Sequence, residues 1–237
     1  MDMGISGLAK VVEGVTAVHE AGHSLVALAK PRSMRFVYAT RRFEPALRGD
    51  GGVLPHGIDS LGHTYAVAAV DAPARQLVLD TATMLWAGGV AEAEVFGRTF
   101  QGAGSDRSSI ARLLVTAGLR GEEAATVAEA TYDLAQGFVR RHRTLVLELA
   151  QPMMERTIIG FDDPVVESVQ RRVLAAEGQR DEVVDLARVL LERRPKAMLE
   201  ALQRASEASG RRTAAIWARL CAEHGERASK APRWSRA

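Results

Sequence analysis

The sequence predicts a mainly α-helical fold that carries a small β element and continues into a helical region towards the C-terminus. Apolar residues recur at steps of three and four along most of the chain, which is the period of one helix face. Aromatic residues make up only 5% of the 237 residues, so Ala, Val and Leu must fill the core, which favours helices. Only residues 34–54 show the composition of short strands.

The first predicted helix covers residues 9–29, and Lys30-Pro31 ends it. Its apolar residues draw a single stripe along the helix. The stripe consists of Val11, Val15, Val18, Gly22, Leu25 and Ala29.

The small β element is predicted to follow this helix. Residues 34–43 combine aromatic and β-branched side chains and suit a strand. Residues 49–52 (Gly-Asp-Gly-Gly) indicate a turn, after which Val53-Leu54 is expected to pair back as a second strand. Residues 55–71 contain two glycines and two histidines without a clear period, which predicts a loop.

Three more helices are predicted before residue 160. The second helix covers residues 73–95 and ends at Phe96-Gly97. The glycine-rich residues 101–105 form a loop into the third helix, and the fourth covers residues 122–150, with Pro152 disturbing its end. The inward positions of the third helix are Ile110, Leu113, Leu114 and Ala117.

Residues 161–237 are predicted to be a helical extension of a domain that comprises residues 1–160. Short helical patterns in this region are separated by turn signals at Gly178, Pro195 and Gly210.

Composition excludes several classes of protein. A formal net charge of +2, from 31 Lys and Arg against 29 Asp and Glu, gives little support for a nucleic-acid partner. The single cysteine, Cys221, excludes an internal disulfide framework and a cysteine-rich zinc site. No apolar run approaches the roughly 20 residues that span a bilayer, and no signal peptide is evident. A cytoplasmic protein without a membrane span is therefore expected.

The candidate functional residues are in the first helix, at His19-Glu20-Ala21-Gly22-His23. Residues four apart on a helix lie nearly one above the other, so His19 and His23 present two imidazoles to one point. Glu20 lies about 100° round the axis from His19, close enough to act on a metal-bound water without being a ligand.

Zinc is the metal that this motif favours. Two imidazoles and one further protein ligand leave an open position for water, and Glu20 can serve as the general base that takes its proton. Two alternatives remain: histidines four apart can be plain surface residues, and the motif does not separate proteases from other zinc hydrolases.

The residues alone leave the third ligand open. Asp106 follows the glycine-rich loop, where a carboxylate also suits a helix N-terminus. Glu92 lies on an otherwise apolar face and needs a partner, either a metal or a ligating histidine. The other candidates are Glu94, His56 and His63.

Three segments together resemble the peptidase domain of FtsH-type ATP-dependent zinc metalloproteases. They are residues 16–26 (Thr-Ala-Val-His-Glu-Ala-Gly-His-Ser-Leu-Val), residues 87–97 (Ala-Gly-Gly-Val-Ala-Glu-Ala-Glu-Val-Phe-Gly) and residues 102–106 (Gly-Ala-Gly-Ser-Asp). Their order and spacing agree with that family, and the resemblance covers about residues 10–165.

The resemblance implies a zincin-like helical metalloprotease domain with a small β element near the cleft. It implies zinc held by His19, His23 and Asp106, Glu20 as the catalytic base, and Glu92 as a carboxylate that supports a ligand. The partner that follows is a polypeptide substrate. A homo-oligomer and a separate ATPase or adaptor are candidate partners that the resemblance does not carry over to this chain.

The chain departs from the family in ways that shape the expected activity. Ser105 replaces the usual asparagine, Gly89 and Ala93 replace a charged pair, and no Gly-x-x-x-x-Gly-Lys-Ser/Thr loop occurs. An ATP-independent metalloendopeptidase acting on flexible segments is therefore the leading hypothesis. The rivals are a catalytically weak, peptidase-derived scaffold or adaptor, against which the presence of Glu20 argues, and a zinc hydrolase of non-peptide amides.

Overall fold

The computed structural model describes residues 5–40, 63–69, 72–100, 103–156 and 158–177. These ranges contain six helices and a three-stranded sheet, which confirms the predicted mainly α-helical fold. In chain order the elements are α1 (Ile5–Ala29), β1 (Met34–Thr40), β2 (His63–Ala68), α2 (Ala74–Phe96), α3 (Ala103–Thr116), α4 (Gly121–Arg141), α5 (Arg143–Glu155), β3 (Ile158–Gly160) and α6 (Pro164–Glu177).

Helix α1 lies at the centre of the described structure. Every residue from Val15 to Leu28 is buried, because the helix packs against α2, α5, α6 and β1. A helix covered on all sides needs Ala, Val and Leu around its circumference, and α1 has them. Its buried polar residues therefore have to find partners inside the protein.

Small residues allow α1 and α2 to approach closely. A Cβ atom added at Gly22 would collide with the main-chain carbonyl of Ala87 and would lie 2.8 Å from Cβ of Ala91. Gly22 lies between the two histidines of the motif, so this contact brings α2 directly against them.

The sheet is antiparallel and has the strand order β2-β1-β3. Strand β1 confirms the prediction for residues 34–40. The predicted turn at 49–52 and the strand at Val53-Leu54 lie outside the described residues. The loop predicted for residues 55–71 is wrong at 63–68, because β2 pairs with β1 from Met34↔Ala68 to Thr40↔His63. Hydrogen bonds to β1 stabilise this short strand, and its own composition indicates it only weakly.

Three helix boundaries differ from the prediction, and the first is the start of α1, at Ile5 and not at residue 9. The helix predicted over residues 122–150 is divided at His142 into α4 and α5, and Pro152 lies inside the last turns of α5. Helix α3 begins at Ala103, inside the predicted loop. The end of α2 is confirmed, since Gly97 adopts the left-handed conformation with φ 73° that favours glycine after a helix.

Helix α6 is the part of the predicted C-terminal region that the structure describes. Its residues Val166, Val169 and Val173 are buried in the same core as α1 and α5. Residues 164–177 therefore share the core of the preceding helices, and residues 178–237 lie outside the described part. Within that part, no helix has the length and apolar composition needed to cross a bilayer.

Candidate metal centre

The two motif histidines lie on one face of α1 and point to the same place. Their Nε2 atoms are 3.0 Å apart, as expected from the spacing of four residues. The side chains are buried, with 7% of His19 and 6% of His23 exposed. Both histidines are more deeply buried than residues at the edge of the apolar stripe of a surface helix would be. The reason is that α2 covers this face of α1.

The third member of the group is Asp106, in the first turn of α3. Its Oδ2 atom lies 2.9 Å from Nε2 of His19 and 3.4 Å from Nε2 of His23. Each of the three residues offers one ligand atom, and these atoms lie within 4.8 Å of one another. His19, His23 and Asp106 form a group that could hold a metal ion.

The partners of the other ring nitrogens determine which atoms are available to a metal. His19 Nδ1 donates to Oε1 of Glu92 over 2.7 Å, and His23 Nδ1 donates to the main-chain carbonyl of Met84 over 2.7 Å. A carboxylate and a carbonyl only accept, so the proton of each neutral ring is on Nδ1. In the neutral rings both Nε2 atoms would therefore direct lone pairs towards Asp106.

With neutral rings three acceptor atoms converge, an arrangement that a proton or a metal ion would stabilise. Asp106 Oδ2 is buried and has no hydrogen-bond donor among the described residues. The observed separations of 2.9, 3.0 and 3.4 Å are near the roughly 3.3 Å expected between ligands about 2 Å from a tetrahedral ion. The residues present therefore fit a metal ion.

The electrostatics of the site also favour positive charge. Burial alone lowers the pKa of His19, but the neighbouring carboxylates of Asp106, Glu92 and Glu20 outweigh it and raise the pKa to about 10. Burial alone would raise the pKa of Asp106, yet the two histidines hold it well below its ordinary value. A proton or a metal ion can satisfy this demand, and a metal ion contacts all three ligand atoms at once.

Gly88 of α2 leaves the space that such an ion requires. A Cβ atom added at this position would lie 2.5 Å from Nε2 of His23 and 2.6 Å from Nε2 of His19. Any other residue would therefore place carbon against the ligand atoms. The space for an ion beside the two rings therefore depends on glycine at position 88.

Glu20 lies next to His19 in the chain and is 4% exposed. Its Oε2 atom is 2.7 Å from the hydroxyl oxygen of Thr64 in β2. Its negative charge contributes to the raised pKa of His19, so the carboxylate is electrostatically coupled to the ligand group. Glu20 is not among the three residues of that group.

Glu92 is outside the ligand group as well, and it contacts His19 through Nδ1. Its second oxygen, Oε2, accepts a hydrogen bond from the main-chain N–H of Phe100 at 2.6 Å. The buried Glu92 carboxylate thus contacts both the candidate ligand His19 and the segment between α2 and α3, the helix that carries Asp106.

The remaining candidates have other positions. Glu94 forms an ion pair of 2.9 Å with Arg140. His56 lies outside the described residues, and His63 belongs to β2, where the placement of its side chain is not described. The sequence did not indicate that the carbonyl of Met84 accepts from His23 or that Thr64 contacts Glu20. For the space beside the histidines, the glycine pair Gly88-Gly89 was the one signal in the sequence.

No protein-family model and no curated protein matches the chain.

Proposed function

We propose that the chain is a zinc-dependent metalloendopeptidase that hydrolyses peptide bonds in flexible or unfolded polypeptide segments. One observation carries the proposal: the Nε2 atoms of His19 and His23 converge with Oδ2 of Asp106, next to the buried carboxylate of Glu20. Zinc is the preferred ion, because two imidazoles and one carboxylate are the three protein ligands of an open catalytic site. When bound, zinc polarises a carbonyl group and lowers the pKa of a coordinated water to about 7.

The roles of the residues follow from their contacts. His19 and His23 would hold the ion through their Nε2 atoms, because Glu92 and Met84 accept from Nδ1. Asp106 contributes negative charge from the first turn of α3. Glu20 accepts the proton of the attacking water and delivers it to the leaving amine, the role of a general base and acid.

The substrate class is proposed from the motif and from the resemblance to FtsH-type peptidases. A folded protein seldom presents a peptide bond to a centre whose histidines are only 7% and 6% exposed. Because the sequence contains no nucleotide-binding loop, ATP should leave cleavage of an already unfolded substrate unchanged.

The proposal is tested with zinc-loaded wild type, Glu20→Gln, and the matched control Glu94→Gln, all purified identically and incubated with casein. Glutamine keeps the size of residue 20 but removes the proton acceptor, so zinc content should stay the same while hydrolysis falls about 10²–10⁴-fold. Glu94→Gln should cleave like wild type, since Glu94 pairs with Arg140.

Equal cleavage by wild type and Glu20→Gln would refute the mechanism. Binding of casein without Glu20-dependent cleavage would instead favour the scaffold or adaptor.

A further inference from the structure

The Glu20 carboxylate accepts a hydrogen bond from a residue of the sheet. Glu20 belongs to α1, whereas the donor that contacts its carboxylate, Thr64, belongs to β2. Within the described part of the chain, Thr64 is the one hydrogen-bond donor to this carboxylate. Strand β2 thus contributes to the position of a side chain on a helix.

The distribution of protons around Thr64 identifies which atom receives its hydrogen bond. The Thr64 hydroxyl oxygen lies 2.7 Å from Oε2 of Glu20 and 3.0 Å from the Glu20 main-chain carbonyl, but a hydroxyl group has only one proton. The Ser24 hydroxyl already donates to that carbonyl over 2.7 Å. The carboxylate oxygen is the nearer of the two acceptors, so the Thr64 proton is assigned to it.

A buried carboxylate without this donor would lose its fixed orientation. Glu20 is 4% exposed, so water has little access to replace the missing hydrogen bond. A glutamate side chain has several rotamers, and a base acts only when its oxygen lies within hydrogen-bond reach of the proton it takes. The hydrogen bond from the Thr64 hydroxyl favours the rotamer in which Oε2 of Glu20 lies against β2.

We infer that Thr64 is a positioning residue, which fixes the Glu20 carboxylate beside the metal ligands by a hydrogen bond from β2. The part of this inference that concerns catalysis rests on the proposed peptidase function. Thr64 is not one of the three residues of the ligand group, and its role requires no contact with the substrate.

Three variants separate this role from a general effect of losing a buried hydroxyl. Thr64→Val keeps the shape and removes the donor, Thr64→Ser keeps the donor, and Thr131→Val is the matched control. The Thr131 hydroxyl donates to the carbonyl of Val127 over 2.8 Å within α4, away from the ligand group. Each variant is loaded with zinc and assayed for kcat and KM on a short unstructured peptide.

We expect kcat of Thr64→Val to fall about 10- to 100-fold, with zinc content and KM close to wild type, because misplacement of a catalytic group reduces the rate of the chemical step. Thr64→Ser should recover most of this loss, and Thr131→Val should behave like wild type. An unchanged kcat in Thr64→Val, or a loss in Thr64→Ser as large as in Thr64→Val, overturns the inference.

A second measurement decides the inference independently of any cleavage. Crystal structures of zinc-loaded wild type and Thr64→Val should show the Glu20 carboxylate against β2 in the first protein and displaced in the second. The same Glu20 position in both structures overturns the inference. If wild type cleaves nothing, the proposed function fails, and this comparison still tests the contact.

Discussion

His19 donates a hydrogen bond from Nδ1 to Glu92 over 2.7 Å, and the same carboxylate accepts the main-chain N–H of Phe100 at 2.6 Å. Glu92 thereby fixes the tautomer of the neutral ring of a candidate metal ligand. Through Phe100 it also holds the connection between α2 and α3, and α3 carries Asp106. One buried side chain therefore affects two of the three candidate ligands.

Replacement of Glu92 should weaken zinc binding. The two oxygens of Glu92 accept from His19 and from the main-chain N–H of Phe100. A glutamine side chain has only one acceptor oxygen, so it can accept from one of these donors, and its NH2 group then faces the other. We expect Glu92→Gln to bind zinc about 10- to 100-fold more weakly. Competition with a chelating dye at constant pH measures the affinity, and Glu94→Gln serves as a control. Equal affinities of wild type and Glu92→Gln would show that this carboxylate does not support the ligand.

A methyl group at position 88 should close the metal site. An alanine Cβ would lie 2.5 and 2.6 Å from the two Nε2 atoms, too close for an ion to be held between them. Gly88→Ala should therefore lose most of its bound zinc, as elemental analysis would measure.

Gly14→Ala is the matched control for that experiment. Gly14 is also a helical glycine, on α1, and nothing lies within 4 Å of an added Cβ. This substitution should keep zinc and raise the free energy of unfolding by up to about 1 kcal/mol, because alanine favours a helix. Full zinc occupancy in Gly88→Ala would exclude the site as described.

The stability of the protein should depend on pH through Glu177, at the end of α6. Burial alone would raise its pKa, but the hydrogen bond from His142, at 2.7 Å, and the charge of Arg141 lower it below its ordinary value of 4.5. A carboxyl group with a lowered pKa in the folded protein stabilises it above the ordinary pKa. This contribution is lost as the pH falls from about 4.5 through the lower folded value.

Glu177→Gln should lower the free energy of unfolding by about 1 kcal/mol at pH 7, because a partly exposed charged hydrogen bond is screened by solvent. The difference from wild type should shrink below pH 4.5. Urea denaturation with a chelator present measures this without a contribution from metal release. Glu148→Gln, which removes an exposed ion pair with Arg172, should change stability by less than about 0.5 kcal/mol. A constant difference between wild type and Glu177→Gln at all pH values would contradict the assignment.

The convergence of the two histidines is local, and for that reason the sequence predicts it well. A separation of four residues on one helix determines that His19 and His23 meet, whatever the rest of the chain does. The place of Asp106 depends instead on how α3 packs after α2. The residues alone left five candidates for the third ligand, and only the resemblance to FtsH-type peptidases singled out Asp106.

Long-range contacts explain what the sequence did not reveal. Thr64 is important because β2 pairs with β1 and packs on α1, and nothing in the composition of residues 55–71 indicates that pairing. The division between α4 and α5 falls at His142, whose ring nitrogen bonds to Glu177 of α6. Neither contact has a periodic signal, because each joins residues far apart in the chain.

The packing of α6 changes what truncation of the chain should do. Val166, Val169 and Val173 are 1% exposed or less and contribute to the same core as α1. Burial of three valines stabilises the protein on the order of 6 kcal/mol, comparable with the whole free energy of unfolding of a typical domain, about 5–15 kcal/mol. A fragment of residues 1–160 should therefore be insoluble or fail to retain zinc.

A fragment of residues 1–177 keeps α6, together with Glu177 and its contact with His142. It should remain soluble and bind zinc as the full chain does, because all three candidate ligands and their described neighbours are retained. Circular dichroism melting and zinc analysis of the two fragments compare these expectations directly. A stable, zinc-binding 1–160 fragment would show that α6 is dispensable and would place the boundary of the domain before it, as the sequence predicted. Failure of the 1–177 fragment would show instead that residues beyond 177 contribute to the core.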